Sequence, residues 1–337
     1  MPVIKISTPW HHIDFSNRIS SELKKKYIFY FDEPVDEVDY WIVWGGLKKN
    51  EEQVICSPEN IIYLTDEVFI GRYFYQNFLN QFSSIITCRK DLKHKSVIFN
   101  HELNTWMVNR DYDWIEKETL FEKKKMMSVV CSDQTWLEGH KNRYAFVNKL
   151  QGHFKDRIDF FGRGFKPIDD KFDALADYKY SIAIENSSIP GYFTEKISDC
   201  YLTHTMPIYY GCPNIHDYFD ADSMLVIDIN NWNDAIVKIE NLLHEDSYSK
   251  KLESIKNEKT KYLKQYHIFD KLIFLLENQF EVQTVKKKIV IKSEKTFQRG
   301  FALNNLFSKF QHFLRIALRN RFEFKFPQND LYSNYNK

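Results

Sequence analysis

The chain has no surplus of charge. Across 337 residues, 47 Lys and Arg stand against 46 Asp and Glu, a net charge of +1. A chain so balanced is no nucleic-acid binder as a whole, and any basic surface must be local. No stretch stays apolar for the length of a membrane-crossing helix. The N-terminus, MPVIKISTPWHHIDF, lacks a basic segment followed by an apolar one, so no signal peptide is expected. These absences predict a cytoplasmic chain, soluble or peripheral on the inner face of a membrane. The five cysteines (Cys56, Cys88, Cys131, Cys200 and Cys212) form no CxxC pair and have no His at metal-ligand spacing. They read as reduced thiols in or near the core. Neither GxGxxG nor GxxxxGK(S/T) occurs, which excludes the dinucleotide fingerprint and the P-loop. Asp111-Tyr112-Asp113 has the DxD spacing of a metal–diphosphate site, but it falls at a predicted helix start, where acids suit the helix dipole. No metal is read there.

What is present is an alternation of strand-like and helical runs. Apolar residues make up 43% of the chain and aromatics 16%, enough for proper cores, and the length suggests two domains. Strands are expected at 3–6, 27–31, 40–43, 60–64, 84–87 and 96–100, with helices at 19–26 and 71–82. This rhythm predicts an α/β domain with a largely parallel sheet. A charged helix is expected over 111–126, with Glu122-Lys123-Lys124-Lys125 on a solvated face at the domain boundary. Beyond it come strands at 128–131, 158–161, 178–184, 206–211 and 224–227, a helix at 140–154 and further helices from 231. The expected organisation is a first α/β domain over 1–125, a second over 126–284 and a basic tail over 285–337. Within the tail, VKKKIVI (285–291) is a linker or an edge strand. Residues 301–322 form a basic amphipathic pattern, with Leu303, Leu306, Phe310 and Phe313 opposite Lys309, His312, Arg315 and Arg319. It reads either as an interfacial membrane anchor or as a helix packed on its own protein.

The chemistry concentrates in YKYSIAIENSSIPGYFTEKISDCYLTHTMPIYYGCPNI, residues 178–215. A strand ends on Glu185-Asn186, a turn-rich loop follows, and Thr194-Glu195-Lys196 opens a helix. Anions bind at that place in open α/β sheets. Helix capping accounts for Thr194 and Glu195. Lys196 is unfavourable at a helix N-terminus unless it meets an anion. Arg143, beside Lys141 in the first turn of another predicted helix, is a second candidate anion ligand or else a surface arginine. A carboxylate such as Glu195 can accept both hydroxyls of a ribose. Glu67 follows a predicted strand end, where a catalytic carboxylate points into a cleft. Its neighbour Asp66 could serve the same chemistry, and a solvated or helix-capping acid is the alternative.

This stretch resembles the donor-binding motif of the α1,3/4-fucosyltransferases, glycosyltransferase family 10, whose pattern is YKF-x-x-x-FEN, a short loop, and Y-x-TEK. The resemblance implies a GT-B architecture: two Rossmann-like domains facing across a cleft, with GDP-fucose on the second and the acceptor on the first. It places Arg143 at the diphosphate and Tyr192, Glu195 and Lys196 at donor contacts. Glu185 and Asn186 match the FEN pair, with Ile184 in place of the usual Phe. Tyr63 to Glu67 is similar to the strand-end T-x-E element, making Glu67 the catalytic base, although Val68 stands where bacterial members often have Pro. Implied with these are inverting transfer, Glu185 as a stabiliser of charge on the sugar, and two cations with a helix end in place of an essential metal. The implied acceptor is a galactoside containing GlcNAc or glucose, in the synthesis of a surface polysaccharide or other glycan. A same-fold transferase for another nucleotide sugar and a non-catalytic sugar- or nucleotide-binding module are the rival readings.

Overall fold

A computed structural model describes residues 1–11, 13–66, 74–118 and 120–299. Glu67 and the amphipathic stretch 301–322 lie outside the described residues.

The first unit is built on β1 (Val3–Ser7), α1 (Ser21–Lys26), β2 (Ile28–Phe31), β3 (Tyr40–Trp44), β4 (Glu51–Cys56), β5 (Ile61–Leu64), α2 (Gln76–Leu79), β6 (Ser84–Thr87) and β7 (Val97–Phe99). Six of its strands form one sheet in the order β2-β1-β3-β5-β6-β7, every neighbour parallel. The central strands YWIVW and IIYL are buried along their whole length. Continuous apolar runs, not alternating ones, are what a sheet covered on both faces requires.

The second unit follows α3 (Tyr112–Lys117). It comprises β8 (Lys125–Val130), α4 (Glu138–Phe154), β9 (Asp159–Phe161), β10 (Tyr178–Ile184), α5 (Glu195–Leu202), β11 (Met206–Tyr210), β12 (Leu225–Val226), α6 (Trp232–Glu245) and α7 (Tyr248–Lys261). Its sheet is also parallel throughout, in the order β12-β11-β10-β8-β9. The expected pair of α/β units with parallel sheets is therefore present.

Both sheets reverse direction once. In the first, the chain moves from β1 to β2 on one side and then to β3 on the other. In the second it moves from β8 to β9 and then back past β8 to β10. Each reversal opens a crevice at the strands' C-terminal ends, where such sheets take their ligands.

The charged helix expected over 111–126 is shorter. Asp111 caps α3, accepting from Trp114 N at 3.3 Å, and the helix stops at Lys117. Lys125 already belongs to β8. Lys123 is not on a solvated helix face: its ammonium donates to the carbonyls of Ala176 at 2.8 Å and Thr203 at 2.7 Å. A cation drawn from water needs such acceptors, and they hold the residue in the non-helical segment that leads into β8.

After α7 the chain returns to the first unit. α8 (Ile268–Gln279) lays Phe269, Leu272, Ile273 and Leu276 into the core beneath β1 and β3, although it falls within the stretch assigned to the second unit. β13 (Lys287–Lys292) then pairs antiparallel with β4, so the VKKKIVI run is an edge strand. Its partner β4, EEQVIC, is a strand that the sequence pattern did not reveal.

Candidate functional site

A cavity of about 230 Å³ lies between the two units. From the first unit it is lined by Trp10 and Ile13 after β1, Trp44 at the end of β3, Asp66 after β5, and Glu102 to Thr105 after β7. From the second it is lined by Asn186 after β10, Tyr192, Thr194, and Glu195 and Lys196 at the start of α5. The two strand-end faces thus meet over one space. Short bonds tie its walls together: Glu102 N donates to Gly191 O at 2.8 Å, Asn104 Nδ2 to Phe193 O at 3.1 Å, and the His101 ring stacks on Phe193 with centroids 5.0 Å apart.

On the second unit the local architecture follows from a few side chains. Glu185 is buried, and its carboxylate accepts from Thr194 N at 2.8 Å and Thr194 Oγ1 at 2.7 Å. Lys196 Nζ lies 3.2 Å from Glu185, 3.1 Å from Glu195 and 2.9 Å from Thr194 Oγ1. Thr194 therefore holds the N-cap position without capping α5 through its side chain, because its hydroxyl serves Glu185 and Lys196. Glu185 does not line the cavity. It fixes the turn that carries Thr194, Glu195 and Lys196. Gly211 leaves it room: a Cβ there would stand 2.4 Å from Glu185 Cγ.

The charges in this cluster support one another. Burial alone would lower the Lys196 pKa, but Glu185 and Glu195 more than offset it and hold it above the ordinary lysine value. Burial would raise Glu195, but Lys196 and Lys171 pull its carboxyl well below the usual range. Lys171 in turn pairs with buried Asp199 at 2.7 Å, and Asp199 accepts from Met107 N at 2.9 Å. That chain of contacts joins α5 to the segment between the units.

Arg143 is different. It lies in the second turn of α4, since that helix begins at Glu138 rather than at His140. The inward stripe of α4 is Phe154, Leu150, Val147, Arg143 and His140, so helical periodicity carries Arg143 into the crevice between β8 and β10. Its guanidinium donates to Asn186 Oδ1 and, at 3.1 Å, to Ser132 Oγ. Both partners are neutral. Arg143 is 6% exposed, its Nε has no hydrogen-bond partner, and it makes no ion pair among the described residues. α4 sits close on the end of β10: a Cβ on Gly139 would stand 1.7 Å from Asn186 O. Burying a cation with no counter-charge costs several kcal/mol (about the size of a broken buried pair), and an arriving anion recovers that cost.

The first unit supplies aromatic rings and acids. Trp10 and Trp44 meet edge to face with centroids 4.8 Å apart, and Phe15 packs against Trp44 at 5.0 Å. Trp44 Nε1 is buried without a partner. Glu102 is buried against Thr65 Oγ1 at 3.3 Å and Cys88 Sγ at 3.2 Å. Among the described residues, then, the structure brings Asn186, Tyr192, Glu195 and Lys196 to the cavity, and Arg143 and Glu185 to positions behind it. Tyr192 is buried against Cys88 of the first unit. Sequence reasoning had not singled out Trp10, Trp44, Glu102 or His140. The Gly45-Gly46 pair after Trp44, with φ of 72° and 148°, was a strand-end signal for the tryptophan. Nothing comparable marked Glu102. Among the described residues no group of three or more His, Cys, Asp or Glu side chains could hold a metal ion.

The model of glycosyltransferase family 10 (fucosyltransferase), C-terminal part, matches residues 120–290, just over half of the chain. An α-(1,3)-fucosyltransferase of Helicobacter pylori is 39% identical over 83 residues, 24% of this chain and 17% of that protein. α-(1,3)-Fucosyltransferase B of Drosophila melanogaster is 23% identical over 219 residues, 58% of this chain and 46% of that protein. The chain thus spans less than half the length of these relatives. A solved α1,3-fucosyltransferase structure is similar at 20% identity and a TM-score of 0.48, covering 79% of this chain and 91% of that one.

Proposed function

Because the chain belongs to glycosyltransferase family 10, the fucosyltransferases, we propose that it moves L-fucose from GDP-fucose to a hydroxyl of a glycan acceptor with inversion at the anomeric carbon. The observation that carries this reading is the buried guanidinium of Arg143, which makes no ion pair among the described residues, at the crevice between β8 and β10, beside Lys196 and the start of α5. A diphosphate supplies the missing negative charge, through charge-assisted bonds to Arg143 and Lys196 and through free amides at the helix start. Glu195 accepts from the ribose hydroxyls.

In the reaction, a base takes the proton of the acceptor hydroxyl and that oxygen attacks the anomeric carbon. The bond from that carbon to the diphosphate oxygen breaks, and GDP departs with the electron pair. Glu67 is the proposed base; among the described residues, Asp66 and Glu102 line the cavity from the first unit. Fixed cations stabilise the charge that grows on the leaving diphosphate, so no divalent metal is essential in this scheme. Trp10 and Trp44 offer apolar faces to a pyranose, which suits a galactoside containing GlcNAc or glucose, as in surface polysaccharide or other glycan synthesis.

The test is incubation with GDP-fucose and a panel of small acceptors, scored by mass spectrometry. Gain of one deoxyhexose on an acceptor supports the reading, and its absence across galactosides with GlcNAc and with glucose sinks it. Transfer from another nucleotide sugar in parallel incubations would favour a same-fold transferase of different donor. We also propose a cytoplasmic chain that contacts the inner face of a membrane peripherally through the basic amphipathic stretch 301–322. A chain ending at Gln298 should then lose flotation with anionic liposomes, and equal flotation would refute it.

A further inference from the structure

The buried stripe of α4 turns polar as it reaches the crevice, and its last member is His140. The imidazole is 8% exposed, and Nδ1 is buried with no hydrogen-bond partner. Nε2 has none either. Buried polar atoms are seldom left unpaired, and one in a cleft asks what would satisfy it. The charged groups acting on the ring are Arg143 from its own helix and Lys196 from α5. Both are cations, and neither is its hydrogen-bond partner. On the outward side of the same turn, Glu138 and Lys141 answer each other at 3.7 Å. Glu185 and Glu195 are engaged by Lys196. So among the described residues no carboxylate is bonded to the ring, and a third nitrogen base stands unused beside two cations.

We propose that His140 is a third ligand of the diphosphate, beside Arg143 and Lys196, and that it takes up a proton from solvent as the diphosphate binds. The inference rests on the reading of this crevice as a nucleotide-sugar site. The physical reason is the change of neighbours. Without an anion, burial first and then Arg143 and Lys196 push the imidazole below the ordinary histidine value, so it is neutral near pH 7. A doubly charged diphosphate reverses the local sign and favours the imidazolium. A group whose pKa rises on binding makes binding tighter as pH falls towards its free-state value.

The test uses the full chain, GDP-fucose and no acceptor. Both phosphates of GDP-fucose are esterified and do not titrate near neutrality, so any proton taken up enters the protein. Calorimetric titration between about pH 6 and pH 8, in buffers of different ionisation enthalpy, reads that proton directly. The expected result is uptake of part of a proton near pH 7. The dissociation constant should tighten towards low pH, by up to roughly tenfold for each unit by which the bound histidine's pKa is raised. His140→Gln should still bind GDP-fucose, with neither the buffer dependence nor the pH slope. Wild-type binding with no proton uptake overturns the proposal whether or not the variant folds. Uptake that persists unchanged in His140→Gln also overturns it, by assigning the proton elsewhere. Failure of the wild type to bind GDP-fucose at any pH is a separate result, which removes the nucleotide-sugar reading itself and this inference with it.

Discussion

Lys196→Met separates the ion pairs that one ammonium makes from the diphosphate contact proposed for it. The substitution keeps the apolar stem and removes the charge. In the wild type that charge lies 3.2 Å from Glu185 and 3.1 Å from Glu195, with side-chain exposures of 18% for the lysine and 0% for Glu185. Breaking a buried pair by removing one partner costs about 3 kcal/mol, because the other charge stays behind. The variant should therefore melt earlier than the wild type. It should also lose one charge-assisted bond to the diphosphate, worth about 1.5–3 kcal/mol, or roughly 10–100-fold in GDP affinity. Adding Glu185→Gln tells the two effects apart. The double variant no longer leaves a buried charge at Glu185, and glutamine can still accept from Thr194. Most of the melting temperature should return, while GDP affinity stays weak. Differential scanning fluorimetry and calorimetric GDP titration on the four proteins complete the cycle. If Lys196→Met binds GDP as tightly as the wild type, the ammonium serves only Glu185 and Glu195, and its assignment to the diphosphate is refuted.

Three further outcomes follow from the same geometry. Glu67→Gln should lower transfer by about 10²-fold or more while GDP affinity is unchanged; near-normal turnover would move the base to Asp66 or Glu102, to be tested by Asp66→Asn and Glu102→Gln in the same assay. Gly211→Ala places a Cβ 2.4 Å from Glu185 Cγ, so it should both destabilise the fold and weaken GDP binding, and a variant with wild-type melting and affinity would contradict the tight seat given to Glu185. His101, buried between the units, is pushed down to about 4 by burial, with its ring on Tyr266 O and Lys271 nearby. The unfolded chain takes its proton near pH 6.5 and the folded chain does not, so stability should fall between about pH 6.5 and 4, by up to roughly 3 kcal/mol. Urea unfolding at pH 7 and pH 5 should show that loss in the wild type and a smaller one in His101→Gln.

The sequence made the parallel sheets legible because central strands of the first sheet are apolar without interruption, as in YWIVW and IIYL. It hid β4 because EEQVIC lies outside both parallel sheets, paired with β13 and bridged at Ile55 to Glu37, and such a strand tolerates charge. The helix expected over 111–126 failed for a tertiary reason. Lys123 meets carbonyls from the turns before β10 and after α5, and no local pattern announces partners fifty or eighty residues away. The second unit's side of the site was readable because, Arg143 apart, it is one contiguous stretch, from Tyr178 to Lys196. Its detail was not: Thr194 looked like a helix cap, and its hydroxyl instead serves Glu185. Arg143 was noticed as a cation near a helix start, yet its distinguishing property, burial without a counter-charge, belongs to the fold. The first unit's side gathers Trp10, Trp44, Asp66 and Glu102 from four separate strand ends. Of these only Asp66, beside Glu67, stood out in the chain, and only the switch between β1 and β3 brings the tryptophans together.

The central claim is that the crevice between β8 and β10 holds a nucleoside diphosphate by Arg143, Lys196 and the start of α5. A structure of the full chain with GDP bound tests it most directly. The account predicts diphosphate oxygens within hydrogen-bond distance of the Arg143 guanidinium and the Lys196 ammonium. A GDP bound elsewhere, with Arg143 still donating only to Asn186 and Ser132, would contradict it.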